Sequence, residues 1–159
     1  MKITIIAVGK INKGYIRDGI RDFVTRLKPY SSVEIIEIIE EQAPDGIGEK
    51  LKNEIKEREG ERILKRINKN TYIIALDIRG TSISSDKFSD KINKLALSGD
   101  SHITFIIGGS YGLSPNILRA SNFIMSFSTM TFPHQLMRLI LLEQIYRAFK
   151  IIRGEPYHK

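Results

Sequence analysis

Short apolar runs alternate with amphipathic stretches five times along this chain, and that alternation constrains the fold more than any single motif. The runs are Lys2 to Val8, Val33 to Ile39, Thr71 to Ile78, Ile103 to Ile107 and Phe123 to Phe127. Each is rich in Ile, Val, Thr or Phe, as strands are. Thr71 to Ile78 is continuously apolar, as in a parallel strand covered on both faces. Between the runs, apolar residues recur at helical spacings of three and four. Tyr15, Ile16, Ile20, Phe23, Val24 and Leu27 predict a helix over 15–27. Leu51, Ile55, Ile63, Leu64 and Ile67 predict one over 49–67, with Gly60 as a weak point. Phe88, Ile92, Leu95 and Ala96 predict one over 85–97. Gly80 and Gly99 read as breakers. Ser114-Pro115 reads as an N-cap and first turn of a short helix over 115–121. Pro133 opens a last helix reaching Ile152. The expected fold is α/β: one domain over 1–159, with a mainly parallel sheet sandwiched by helices.

Length agrees, since 159 residues suffice for one sizeable core. The absence of cysteine excludes disulfides, thiolate metal sites and a cysteine nucleophile. It fits a reducing compartment. The apolar stretch Ile3 to Val8 is too short for a signal core or a membrane span, so a cytoplasmic protein without membrane partners is expected. The net charge is +7. Residues 1–39 and 133–159 each contribute +3, and the middle of the chain is nearly neutral. Such a balance favours a polyanionic partner without identifying one.

The last helix bears on assembly. Leu136, Met137, Leu139, Ile140, Leu141, Leu142, Ile145, Tyr146, Phe149, Ile151 and Ile152 cover most of its circumference. A helix apolar nearly all round requires burial nearly all round. A second copy of the chain against one side is the economical expectation, hence a homodimer.

Three stretches could carry chemistry. Ile107-Gly108-Gly109-Ser110-Tyr111-Gly112-Leu113 is a glycine-rich turn after a buried strand, where parallel sheets bind ligands. It also contains G-x-S-x-G, which would make Ser110, Glu143 and His158 a serine-hydrolase set. The later helix start at Ser114-Pro115 weakens that reading. No dinucleotide fingerprint or Walker sequence is present. His102, His134 and His158 lack metal-site spacing, so no metal is expected, and His102 reads as surface or structural. Phe127-Ser128-Thr129-Met130-Thr131-Phe132-Pro133-His134-Gln135 is a polar loop flanked by phenylalanines. Its backbone could bond a neutral heterocycle while the apolar side chains cover the ring. His134 and Arg138 share a helix face. The tail Gly154 to Lys159 places an aromatic ring, an imidazole and a cation together, with Arg147, Lys150 and Arg153 upstream. Cations and rings so interleaved suit RNA. Glu143 and Arg147 can equally pair at i,i+4.

Together, the opening Met1-Lys2-Ile3 through Val8-Gly9-Lys10, the block at 107–113, the run at 127–135, the L-x-E-Q-x-Y-R-A block at 141–148 and the terminal P-Y-H-K resemble the ribosomal RNA large subunit methyltransferase H family of the SPOUT superfamily. The likeness extends over the whole chain. It implies a C-terminal trefoil knot, which no periodicity could reveal. It implies S-adenosyl-L-methionine held by Leu76, Gly108, Phe127, Ser128, Thr129, Met130, Thr131 and Phe132. The implied reaction is methylation of N3 of pseudouridine 1915 in helix 69 of 23S rRNA, on the assembled ribosome. The implied assembly is a homodimer in which one subunit's tail completes the other's site. On that basis Tyr157, His158 and Arg147 are expected catalytic residues, and Arg138, Lys150 and Lys159 are expected to contact RNA. A non-catalytic RNA-binding or ribosome-assembly factor is the alternative that the terminal charge leaves open.

Overall fold

The computed structural model describes residues 1–157. Five strands form one sheet in the order β2-β1-β4-β3-β5, and every neighbouring pair runs parallel. They are β1 (Lys2–Val8), β2 (Ser32–Ile38), β3 (Tyr72–Ser82), β4 (His102–Ile107) and β5 (Phe123–Ser126). The helices are α1 (Gly14–Leu27), α2 (Glu49–Leu64), α3 (Ser85–Leu97), α4 (Pro115–Ala120) and α5 (His134–Ile152).

Side-chain alternation sorts the two faces. Ile3, Ile5 and Ala7 of β1 join Phe105 of β4, Leu27 of α1, Phe88 of α3 and Leu141 of α5 in one core. Ile6 and Val8 point the other way, against Ile63 of α2 and Ile117 of α4. Helices therefore cover both faces, as the unbroken apolar runs of a parallel sheet require. At the sheet's amino end the core is polar. Thr104 Oγ1 bonds Thr71 Oγ1 at 2.8 Å, and Thr4 Oγ1 bonds His102 Nε2 at 2.9 Å. Burial pushes the His102 pKa down. This imidazole is a structural partner of a buried hydroxyl, at the end of the sheet opposite the glycine turn.

Several expectations give way to packing. β3 does not stop at Gly80 but continues to Ser82, with a register shift against β5 between Leu76 and Thr81. A Cβ on Gly80 would stand 2.7 Å from the Met125 backbone carbon, so glycine permits this close approach rather than ending the strand. Gly60 is no break in α2 either: a Cβ there would meet Ser114 Oγ at 2.5 Å, so the glycine lets α2 and α4 touch. Helix α2 ends at Leu64 rather than Ile67, and β5 at Ser126. Tyr15 is 71% exposed, and Leu51, Leu64 and Ala96 also face solvent rather than the core. Ser114 caps α4 as expected, accepting a bond from the Ile117 N–H. Among the described residues, no helix is long and apolar enough to cross a membrane.

Candidate active site

The carboxyl ends of β3, β4 and β5 open into a cavity of about 790 Å³. Three chain segments wall it: Leu76 to Arg79 of β3, where its pairing with β4 ends, Ile107 to Leu113 leaving β4, and Met125 to His134 running from β5 into α5. The glycine turn owes its shape to backbone freedom. Gly112 sits at φ +86°, and its N–H bonds the Gly109 carbonyl at 3.0 Å. A Cβ on Gly108 would lie 2.8 Å from the Gly112 backbone carbon, so the turn closes only without one. The loop after β5 is set by two serines. Ser126 Oγ donates to the Ser128 carbonyl at 3.0 Å, and Ser128 Oγ accepts from the Met130 N–H at 3.0 Å.

Seven of the eight expected cofactor residues, all but Thr129, line this cavity: Leu76, Gly108, Phe127, Ser128, Met130, Thr131 and Phe132. Thr129 is exposed and lies off the lining. Met130, 70% exposed, stands at the mouth. Tyr111 and His134, from the two stretches singled out in the sequence, line it too, and so do Lys56 of α2, Asp77, Arg79 and Met137, which were not anticipated. Lys56 lies in a uniformly charged helix and gave no signal. Arg79 grips Asp77 through Nε at 2.9 Å, which holds that carboxyl below its ordinary range.

The expected catalytic and RNA-binding groups divide differently. Tyr157 and Arg147 are together: the guanidinium lies 4.6 Å from the ring centroid, and both groups bond Glu143 Oε1, the tyrosine hydroxyl at 3.0 Å. Burial first, and then the carboxylate, pushes the Tyr157 hydroxyl pKa up. Neither residue lines the cavity. Glu143 follows Met137 by six residues, about 9 Å along the helix axis. The tail thus lies on α5 beyond the chain's own cavity. Lys150 is half-buried and pairs with Glu155 at 2.6 Å rather than presenting itself to solvent. His158 and Lys159 lie outside the described residues.

Arg138 corrects the expectation. It is 0% exposed and cannot hold a phosphate at the surface of this chain. Its Nη2 donates to the Val8 and Gly9 carbonyls, both at 2.7 Å, and Nη1 donates to Glu37 at 3.0 Å. It joins α5 to the carboxyl end of β1. The hydrolase reading also fails in geometry. Ser110 donates to Glu40 at 2.8 Å, Glu143 is engaged with Arg147 and Tyr157, and no helix follows the serine directly. Among the described residues, no group of three or more His, Asp or Glu could hold a metal.

A parallel α/β sheet whose glycine turn and adjoining loop enclose a cofactor-sized cavity defines a ligand-binding enzyme fold, with the site where strand carboxyl ends converge. The family model described as predicted SPOUT methyltransferase matches residues 1–158, and the chain belongs to that family. It is 54% identical over 159 residues to the ribosomal RNA large subunit methyltransferase H of Halothermothrix orenii, covering all of both chains. It is 52% identical, with the same coverage, to the protein of that name from Carboxydothermus hydrogenoformans. Among solved structures, a probable methylase family protein from Haemophilus influenzae shares the fold at TM-score 0.57 and 14% identity, over 99% of this chain and 70% of that one.

Proposed function

We propose that this chain methylates N3 of a pseudouridine, position 1915 in helix 69 of 23S rRNA, using S-adenosyl-L-methionine on assembled ribosomes. The observation that carries the reading is the cavity at the ends of β3, β4 and β5, in a SPOUT methyltransferase whose full-length relatives are named for large-subunit rRNA. Its lining fits the methyl donor. Leu76, Ile107 and Phe127 offer apolar cover for a heterocycle, and the 108–112 and 126–131 backbone offers hydrogen bonds to its polar edge.

When bound, the donor supplies an electrophilic methyl group on a sulfonium. The protein has to orient that group towards N3 and let the N3 proton leave, because a protonated imide nitrogen has no free pair for attack. Phe127 to Phe132 hold and aim the donor in this reading. Tyr157 and His158 lie against the target base. Arg147 fixes Tyr157 and stabilises the N3 anion. These roles require a second subunit, because Tyr157 lies beyond its own chain's cavity. A homodimer that brings one tail to the other cavity meets that need, and the partly exposed Leu136, Leu139, Ile140 and Ile151 of α5 offer contact surface, the rest of its apolar residues being used in the chain's own core. We further propose a single domain over the whole chain, a cytoplasmic location, and a trefoil knot formed by the segments from β4 to α5.

Calorimetric titration with S-adenosyl-L-methionine, run beside sedimentation of the same sample, tests the reading. A dimer that takes up the donor with heat is expected. A folded protein that gives no heat would favour a non-catalytic RNA-binding factor.

A further inference from the structure

A second concavity, of about 600 Å³, lies between α3 and the β3–β5 edge of the sheet. Lys87, Lys91 and Lys94 line it. Spaced i, i+4 and i+7, they form one stripe along α3. Asp90 is the one acidic lining residue, so the groove carries a net charge of two positives. Among the described residues, none of the three lysines is ion-paired, whereas Lys150, Arg138 and Arg147 all are. Lys91 is held in place, its ammonium 4.0 Å from the Phe123 ring centroid and 5.7 Å from that of Tyr72. A cation fixed in this way has little rotamer freedom left to lose on binding. Thr81 adds a hydroxyl donor, whereas the Ser98 hydroxyl already donates to the Leu95 carbonyl at 3.1 Å.

The groove's position gives it a use. Its residues Thr81 and Phe123 belong to the strands whose Arg79 and Met125 line the cofactor cavity, and Thr81 pairs with Met125 in register. Met125 is two positions on from Phe123, about 7 Å along a strand. A polyanion lying in the groove is thereby led towards the donor.

We propose that the lysine-lined groove between α3 and the β3–β5 edge binds the sugar–phosphate backbone of the RNA substrate beside the target nucleotide. The proposal rests on the functional reading above. A row of cations with an adjoining hydroxyl matches phosphates and carries no sequence information. The groove therefore contributes affinity and register, and base selection lies elsewhere. It also supplies the solvent-facing cations that the buried Arg138 and the paired Lys150 do not.

The test uses the full chain. Lys87→Gln/Lys94→Gln changes two exposed residues, and adding Lys91→Gln makes a triple variant. Binding of a fluorescent RNA stem-loop copying the substrate helix is followed against salt, and methylation of ribosomes against ribosome concentration. Each phosphate left without its lysine lowers the log–log salt slope by about 0.7 to 0.9, so the double variant should fall by about 1.4 to 1.8. Its KM for ribosomes should rise about tenfold with kcat nearly unchanged, because a lysine–phosphate pair forms equally in ground and transition states. Donor binding and sedimentation should match the unaltered protein. Lys65→Gln/Lys69→Gln, flanking Ile67 on the sheet's other face, should change neither slope nor KM. An unaltered slope and KM in the double variant would overturn the proposal while leaving the methyltransferase reading intact. So would a change of oligomeric state, which would make the groove an interface between copies. If the unaltered protein fails to methylate ribosomes, the functional reading itself falls, and the groove's role with it.

Discussion

Arg138 and Glu59 show how far burial can change what a side chain does. Arg138 has the type and spacing of a surface phosphate ligand, yet it satisfies three acceptors inside the protein. Arg138→Met should take its donor from the Val8 and Gly9 carbonyls and leave Glu37 with the Ile11 N–H alone. A loss of about 1–3 kcal/mol is expected from the two carbonyls left unsatisfied, since the remaining Glu37 is partly solvated, and it is read as a lower urea midpoint at unchanged slope. Glu59 is buried behind the glycine turn. Its Oε1 accepts from the Glu41 N–H at 2.9 Å, while its buried Oε2 has no hydrogen-bond partner. Burial pushes its carboxyl pKa up, with the Glu40 and Glu41 charges adding to the effect. The folded state thus holds this proton more tightly than the unfolded chain. The corresponding stability is present below the unfolded pKa and is lost as pH rises through the folded one. Glu59→Gln should therefore gain stability relative to the natural protein as pH rises above about 4, as denaturation at several pH values would show. A variant whose difference from the natural protein does not change with pH contradicts the assignment.

Among elements, strand and helix order was legible because buried parallel strands are continuous apolar runs and their crossover helices are amphipathic. The two glycines that look like breaks in the sequence, Gly60 and Gly80, mark where elements approach each other. Such approaches leave no trace in periodicity, which reports only a segment's own faces. Gly60→Ala separates the two effects. Helix propensity favours alanine by about 1 kcal/mol. The new Cβ meets the Ser114 hydroxyl that caps α4, and overpacking there costs about 1–3 kcal/mol. Net destabilisation is expected from thermal or chemical unfolding. The tail is the other element whose order was not evident. Glu155 accepts from Tyr30 Oη at 2.7 Å and from Lys150 at 2.6 Å, and Arg153 donates to the Pro29 carbonyl at 3.2 Å. These bonds direct Tyr157 back onto α5. Glu155→Ala should lower kcat for methylation at least several-fold and leave donor binding unchanged, since the cavity does not include the tail. Equal activity would remove the tail from the reaction.

At the scale of the whole molecule, the sequence shows a +7 chain with its excess charge at both ends, and folding redistributes the meaning of that charge. Much of the C-terminal share is internally neutralised: Arg138 by Glu37, Arg147 by Glu143 and Lys150 by Glu155. Unpaired lysines lie instead on α3, in a stretch whose acidic and basic residues balance. Charge counting along the chain could not separate paired cations from unpaired ones, because pairing depends on which elements meet. The cavity proposed for the cofactor was more accessible to reading. Its glycine turn and its 127–132 loop are each contiguous in sequence, and both leave strands at their carboxyl ends. The distance between that cavity and Tyr157 was not legible, and it makes a second subunit the natural complement. The most direct measurement is mass spectrometry of 23S rRNA from ribosomes incubated with this protein and S-adenosyl-L-methionine. One added methyl group on N3 of the helix 69 pseudouridine, absent when the donor is omitted, is the predicted result. An unmodified pseudouridine from incubations in which the protein is folded and binds the donor would contradict the account.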